Sequence, residues 1–174
     1  MRETKAIILV TYKGSPWISE CLDSLQGVKY PILLCINPEG KSAYDMEAFY
    51  YAQEHGVEEF IVLHDSMVIK DQSFFEEAFG RPGHVKLTPM FLMGFGKFVL
   101  KGLPPLPPKP IGKKAAVSFE THYLRKLPAS SEMFPKFRDT NNFVQKHGQK
   151  RMVLENDYLI KYKGTWDPNM VKEE

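Results

Sequence analysis

The chain has 174 residues, 43% hydrophobic and 25% charged, enough to bury a sizeable core and simplest to read as one domain, 1–174. Charged Arg2, Glu3 and Lys5 lead straight into a short apolar run, which argues against a secretory signal, and the longest apolar stretch, from Pro89, is cut by Lys97 and is too short to span a bilayer. A net charge of +2 hides an uneven distribution: residues 1–96 hold 8 Lys/Arg against 13 Asp/Glu, whereas residues 97–163 hold 14 against 5. A late segment this basic suits an anionic ligand or partner, or is simply a solvated face. The two cysteines, Cys21 and Cys35, belong to no CxxC or Cys/His set and read as reduced, buried thiols of a cytoplasmic protein.

In chain order, KAIILVTY, residues 5–12, is a continuous apolar run ending in the turn chemistry of KGSP, which predicts a buried strand. Ser15 before Pro16 predicts a helix N-cap, with Trp17, Ile18, Cys21, Leu22 and Leu25 recurring at helical spacing until Gly27. A second strand is expected in YPILLCIN, Tyr30 to Asn37, followed by the turn NPEGKS. Asp45 is placed to cap a second helix running to His55, with Gly56 as its stop.

The third strand is FIVL, residues 60–63, and it turns abruptly polar at His64, Asp65 and Ser66; FFEEAF, 74–79, predicts a short helix after it. Strand, helix, strand, helix, strand with short links is the pattern of a parallel sheet, and polar residues at the carboxyl end of a buried parallel strand are where such sheets bind ligands. Beyond Pro89 the pattern becomes irregular. LPPLPPKP, 103–110, prefers polyproline II and reads as a strap over the sheet or an acceptor-binding loop. The segment KAAVSFETHYLRK is expected to begin as a strand, placing Glu120 and His122 on one face. A helical TNNFVQKHG and one last strand, MVLENDYLIKYKG, complete the reading.

Dinucleotide, P-loop, nucleophile-elbow and HExxH motifs are all absent. The order TYKGSPWISECLDSL, a strand ending in INPEG, then FIVLHDSMVI resembles the start of a family 2 type glycosyltransferase with the GT-A fold. The resemblance implies a three-layer αβα, Rossmann-like, mostly parallel mixed sheet, with residues 1–80 as the nucleotide-sugar-binding half and 81–174 as the acceptor-binding half. It implies that Thr11, Tyr12, Asn37 and Glu39 hold the nucleotide. It lays HDS over the DxD motif that grips a divalent metal on the donor diphosphate, leaving Asp65 as the surviving acid between His64 and Ser66.

Further along, RDTNN resembles the family segment that supplies a general base, with Asp139 at the carboxylate position. YLIKYKGTW resembles the segment where a histidine often completes the metal site, and Lys161 and Lys163 stand there instead. Two accounts of the leaving diphosphate stay open: Asp65 holds Mn²⁺ or Mg²⁺, or the lysines neutralise the charge directly. Asp65 also has an ordinary reading as a turn former, and Asp139 as a helix cap.

The activity implied is transfer of a hexose such as glucose from a UDP-sugar to an acceptor hydroxyl, with inversion. Basic residues interleaved with Phe98, Phe119, Tyr123, Phe134, Phe137 and Phe143 bring DNA with hydroxymethylated bases into view as an acceptor, although the same aromatics also fit a core. The rival is a non-catalytic nucleotide or nucleic-acid binding module with the same fold.

Overall fold

The computed structural model describes residues 4–37, 44–88, 94–134, 144–145 and 152–163. Three parallel strands lead: β1 (Lys5–Tyr12), β2 (Ile32–Asn37) and β3 (Glu59–His64). Helix α1 (Ile18–Ser24) links the first two, and α2 (Glu47–His55) links the second and third. A short strand β4 (Met67–Ile69), helix α3 (Ser73–Gly80) and strands β5 (Val85–Lys86) and β6 (Gly96–Val99) follow. Helix α4 (Lys113–His122), β7 (Ser131–Glu132), β8 (Val144–Gln145), β9 (Met152–Glu155) and β10 (Leu159–Lys163) complete the described elements.

Six strands form one mixed, mostly parallel sheet in the order β2-β1-β3-β6-β5-β7. β1 lies parallel to β2 and β3, and β6 runs antiparallel between β3 and β5. Alternation along β1 and β3 explains the two cores. Ile7, Leu9, Ile61 and Leu63 face one side, with Cys21 of α1, Leu25 just after it and Phe74, Phe75 and Ala78 of α3. Ala6, Ile8, Val10, Phe60 and Val62 face the other, with Ala48, Phe49 and Ala52 of α2 and Phe119 of α4. Successive side chains of a strand point to opposite faces, so a strand buried on both sides must be apolar throughout, as AIILV, residues 6–10, and FIVL, 60–63, are.

The second sheet is small and antiparallel, β4-β10-β9-β8. Its β4 starts two residues after Asp65, so the chain leaving the main sheet at that point pairs at once with β10, with Lys161 opposite Met67.

Several expectations are corrected. KAAVSFETH is helix α4, not the start of a strand, so Glu120 and His122 do not share a face by strand alternation. Its periodicity is compatible with either element, and packing of Phe119 against the core on the α2 side of the sheet decides for helix. The stretch GKFV, hidden in an irregular aromatic segment, is strand β6 beside β3. MVLENDYLIKYK is a hairpin, because Asn156 Oδ1 accepts from the Tyr158 and Leu159 N–H groups and turns the chain. Val144–Gln145 pairs with β9 and is strand where a helix was expected. Helix α1 begins at Ile18, not after Ser15, although the Ser15 hydroxyl still accepts the Trp17 N–H at 3.3 Å. Asp45 lies inside a 3-10 turn, Tyr44–Met46, and caps nothing in α2. Gly56 does stop α2, in the left-handed conformation at φ 66°.

The proline-rich segment is a strap. Leu103 and Leu106 pack against the core of the α2 side, Tyr50 donates to the Pro107 carbonyl at 2.8 Å and Tyr123 to the Pro104 carbonyl at 2.5 Å. Lys109 closes it onto Glu47 at 2.5 Å. Prolines leave carbonyls without partners of their own, and the two tyrosine hydroxyls satisfy them.

Candidate functional site

Connections set the position of the site. From β1 the chain crosses by α1 on one face to β2, then returns by α2 on the opposite face to β3 on the other flank of β1. The crossovers therefore diverge between β1 and β3, and the carboxyl ends of those two strands are the usual ligand position of an open α/β sheet. Thr11 ends one of these strands and Asp65 follows the other.

Asp65 is 1% exposed. Its N–H donates to the Val10 carbonyl at 3.2 Å, and the Thr11 hydroxyl donates to Oδ2 at 2.8 Å. Oδ1 is buried with no hydrogen-bond partner among the described residues. Burial raises the Asp65 pKa above the ordinary carboxylate value; the Ser15 and Thr11 hydroxyls and the Lys161 charge pull it back only in part. A carboxylate oxygen left bare in the interior is costly, and such groups call for a ligand or a mechanistic reason.

On either side of Asp65, His64 and Ser66 are bound by one group. The Lys161 ammonium lies 3.2 Å from His64 Nδ1 and donates to Ser66 Oγ. The β4–β10 pairing puts it there, and Tyr162 N–H to the Ser66 carbonyl, at 3.0 Å, sets the register. Lys161 is 6% exposed; burial lowers its pKa, against the opposing pull of Asp45 and Asp65. An ammonium has only donors, so His64 Nδ1 must accept and its Nε2 carries the hydrogen in the neutral ring. Nε2 faces Asp45 Oδ1 at 3.5 Å. Burial pushes the Asp45 carboxyl up to about 7, with Lys161 opposing and Glu120 and Asp65 adding to the shift. The result is a chain of groups, Asp45, His64, Lys161 and Ser66, beside the Asp65 and Thr11 pair.

The residues singled out from sequence divide clearly. Thr11, Tyr12, Asn37, Asp65 and Lys161 share the carboxyl end of the sheet; Tyr12 and Asn37 are register partners in β1 and β2. The Asn37 Oδ1 is another buried oxygen without a hydrogen-bond partner among the described residues. The Tyr12 hydroxyl is raised in pKa by burial, with Asp65 contributing. Glu39 and Asp139 lie outside the described residues, as do Phe137 and Phe143, and Lys163 is described only as part of β10. Phe98, Phe119 and Phe134 are buried, so they form core and not a stacking surface. Both cysteines are free and buried, and burial pushes each thiol up to about 12, which makes them inert at neutral pH.

Sequence reasoning reads Asp45 as a helix cap and misses both its approach to His64 and the contacts of His64 and Ser66 with Lys161. For His64 and Ser66 the signal was their position beside Asp65. Asp45 carried none, because only the path of the 3-10 turn brings it to His64.

The divalent ion implied at Asp65 meets an unfavourable donor set. One carboxylate is present, the flanking positions hold an imidazole and a hydroxyl, and both already bind an ammonium. Among the described residues no three His, Cys, Asp or Glu side chains converge to hold a metal ion. No described helix is long and apolar enough to cross a membrane. No family model, no curated protein and no solved structure matches the chain.

Proposed function

We propose that the protein is a GT-A-type glycosyltransferase that moves a hexose from a nucleoside diphosphate sugar, UDP-glucose being the first to test, to an acceptor hydroxyl. The observation that carries this reading is the polar cluster at the divergence between β1 and β3, where Asp65 keeps a bare buried oxygen next to a buried cation. Thr11, Tyr12, Asn37 and Glu39 would hold the nucleotide, as the resemblance implies. The acceptor hydroxyl attacks the anomeric carbon while a base, assigned to Asp139, takes its proton. The bond from that carbon to the diphosphate oxygen breaks, and positive charge at the site stabilises the departing nucleoside diphosphate.

The acceptor is defined here only as a hydroxyl. Modified DNA remains a candidate through the basic later segment, without the aromatic platform that Phe98, Phe119 and Phe134 would have supplied. A binding module without catalysis is the second reading, favoured by the reduction of the motif to one acid. Calorimetry with UDP followed by a UDP-release assay with UDP-glucose tests both. Release that depends on an added acceptor is expected. Binding with no turnover on saccharide, protein or hydroxymethylated-DNA acceptors leaves the binding module, and absence of UDP binding removes a UDP-sugar donor and the nucleotide-binding form of the module.

A further inference from the structure

We infer, on the basis of that nucleotide-sugar reading, that the cation facing the donor diphosphate is the Lys161 ammonium and that donor binding needs no divalent metal. The ammonium is bonded to His64 Nδ1 and Ser66 Oγ, the two positions where the resemblance expects metal-binding acids. It therefore occupies the seat that a bridging metal would take. A divalent ion set against the same atoms would be repelled by a positive charge at close range and would gain only one carboxylate in return.

The lysine is positioned for the task by its neighbours. His64 and Ser66 use two of its three N–H donors, and no further acceptor is found among the described residues, which leaves one donor for a phosphate oxygen. Asp45 Oδ1 stands 3.5 Å from Nε2 on the far side of the His64 ring, a negative group opposite the nitrogen that meets Lys161. The same arrangement changes the part assigned to Asp65. With the cation supplied by Lys161, the bare Oδ1 is an acceptor for a hydroxyl of the donor ribose or sugar, and Thr11 fixes the carboxylate for it.

The test is calorimetric titration of the whole chain with inorganic pyrophosphate and with UDP, in EDTA and in Mn²⁺. Affinities in the two conditions are expected to agree within about twofold, and Lys161→Met is expected to weaken both probes by about 10- to 100-fold, the loss of one charge-assisted hydrogen bond. Lys161→Arg should retain part of the affinity. Binding that requires Mn²⁺, or Lys161→Met binding like the wild type, overturns the inference and leaves the nucleotide-sugar reading standing. Absence of binding by either probe in both conditions overturns that reading and the inference with it. Circular dichroism checks that the variants are folded; where Lys161→Met is not, Lys161→Arg carries the test of the lysine, and the comparison of EDTA with Mn²⁺ on the wild-type chain decides the metal requirement.

Discussion

Strand β3 carries a buried lysine, histidine and acid group near each of its ends, and the two groups are built differently. At the amino end, Lys97 is fully buried, donates to the Arg81 carbonyl at 2.7 Å and lies 3.4 Å from Glu59 Oε2. His84 nearby accepts the Val99 N–H on Nδ1 at 3.2 Å and donates from Nε2 to the Gly102 carbonyl at 3.1 Å. The lysine and histidine nitrogens there each have a partner of opposite character. At the carboxyl end, Lys161 leans on an imidazole and a hydroxyl, Asp45 is raised to about 7, and Asp65 keeps a bare oxygen. The same residue types thus make a structural joint where they satisfy one another and a candidate site where they do not. Composition alone does not separate the two cases.

Exchanging the two lysines breaks the comparison most directly. Lys97→Met strips the Arg81 carbonyl and Glu59 of their cation and is expected to cost about 3–4 kcal/mol in urea unfolding. Lys161→Met, which also relieves the burial of a charge, is expected to cost about 1 kcal/mol, less than half of that. Equal costs would mean that the carboxyl end is as much a structural joint as the other.

His84→Ala removes the partner of the Val99 N–H and of the Gly102 carbonyl, groups only partly shielded from water, for an expected loss of about 1–2 kcal/mol at neutral pH. Burial depresses the His84 pKa below its ordinary 6.5, so its contribution is present above 6.5 and lost as pH falls below it. Stability curves for wild type and variant should converge in acid.

Asp45 works in the opposite sense. Its carboxyl is raised from 3.8 to about 7, so the folded state keeps the proton longer, and the associated stability is full below 3.8 and lost as pH rises through about 7. Asp45→Asn removes that dependence. The wild type should lose about 2 kcal/mol relative to the variant between pH 4 and pH 7, a figure reduced from the full shift because the side chain is 30% exposed. A flat difference curve would show that Asp45 is solvated as an ordinary surface acid.

The smallest effect is expected at Thr11. Thr11→Val removes one hydrogen bond to Asp65, costs about 1 kcal/mol in thermal or urea unfolding, and raises the Asp65 pKa further by removing a donor to the charged form. Nuclear magnetic resonance titration of the Asp65 carboxyl measures the shift directly.

The leading half of the fold was legible because its signals are local. AIILV, residues 6–10, and FIVL, 60–63, are apolar at every position, which only a strand covered on both faces tolerates, and Gly56 sits where the chain must turn left-handed. Helix α4 and strand β6 were not legible. Their patterns fit more than one element, and the choice was made by what they pack against: Phe119 against Phe49, and Phe98 beside Phe60.

The site divides along the same line. Asp65 could be found from the sequence, since the change from apolar strand to polar turn is written in consecutive residues, and Lys161 could be named as a charge near the end of the chain. That the Lys161 ammonium lies between His64 and Ser66, and that Asp45 stands behind His64, depends on contacts spanning 97, 95 and 19 residues. Contacts of that separation depend on sheet register and loop path, which neither hydrophobic period nor local propensity encodes. The periodicity of the chain is enough to place an acid at the end of a buried strand; only the folded arrangement supplies the cation beside it.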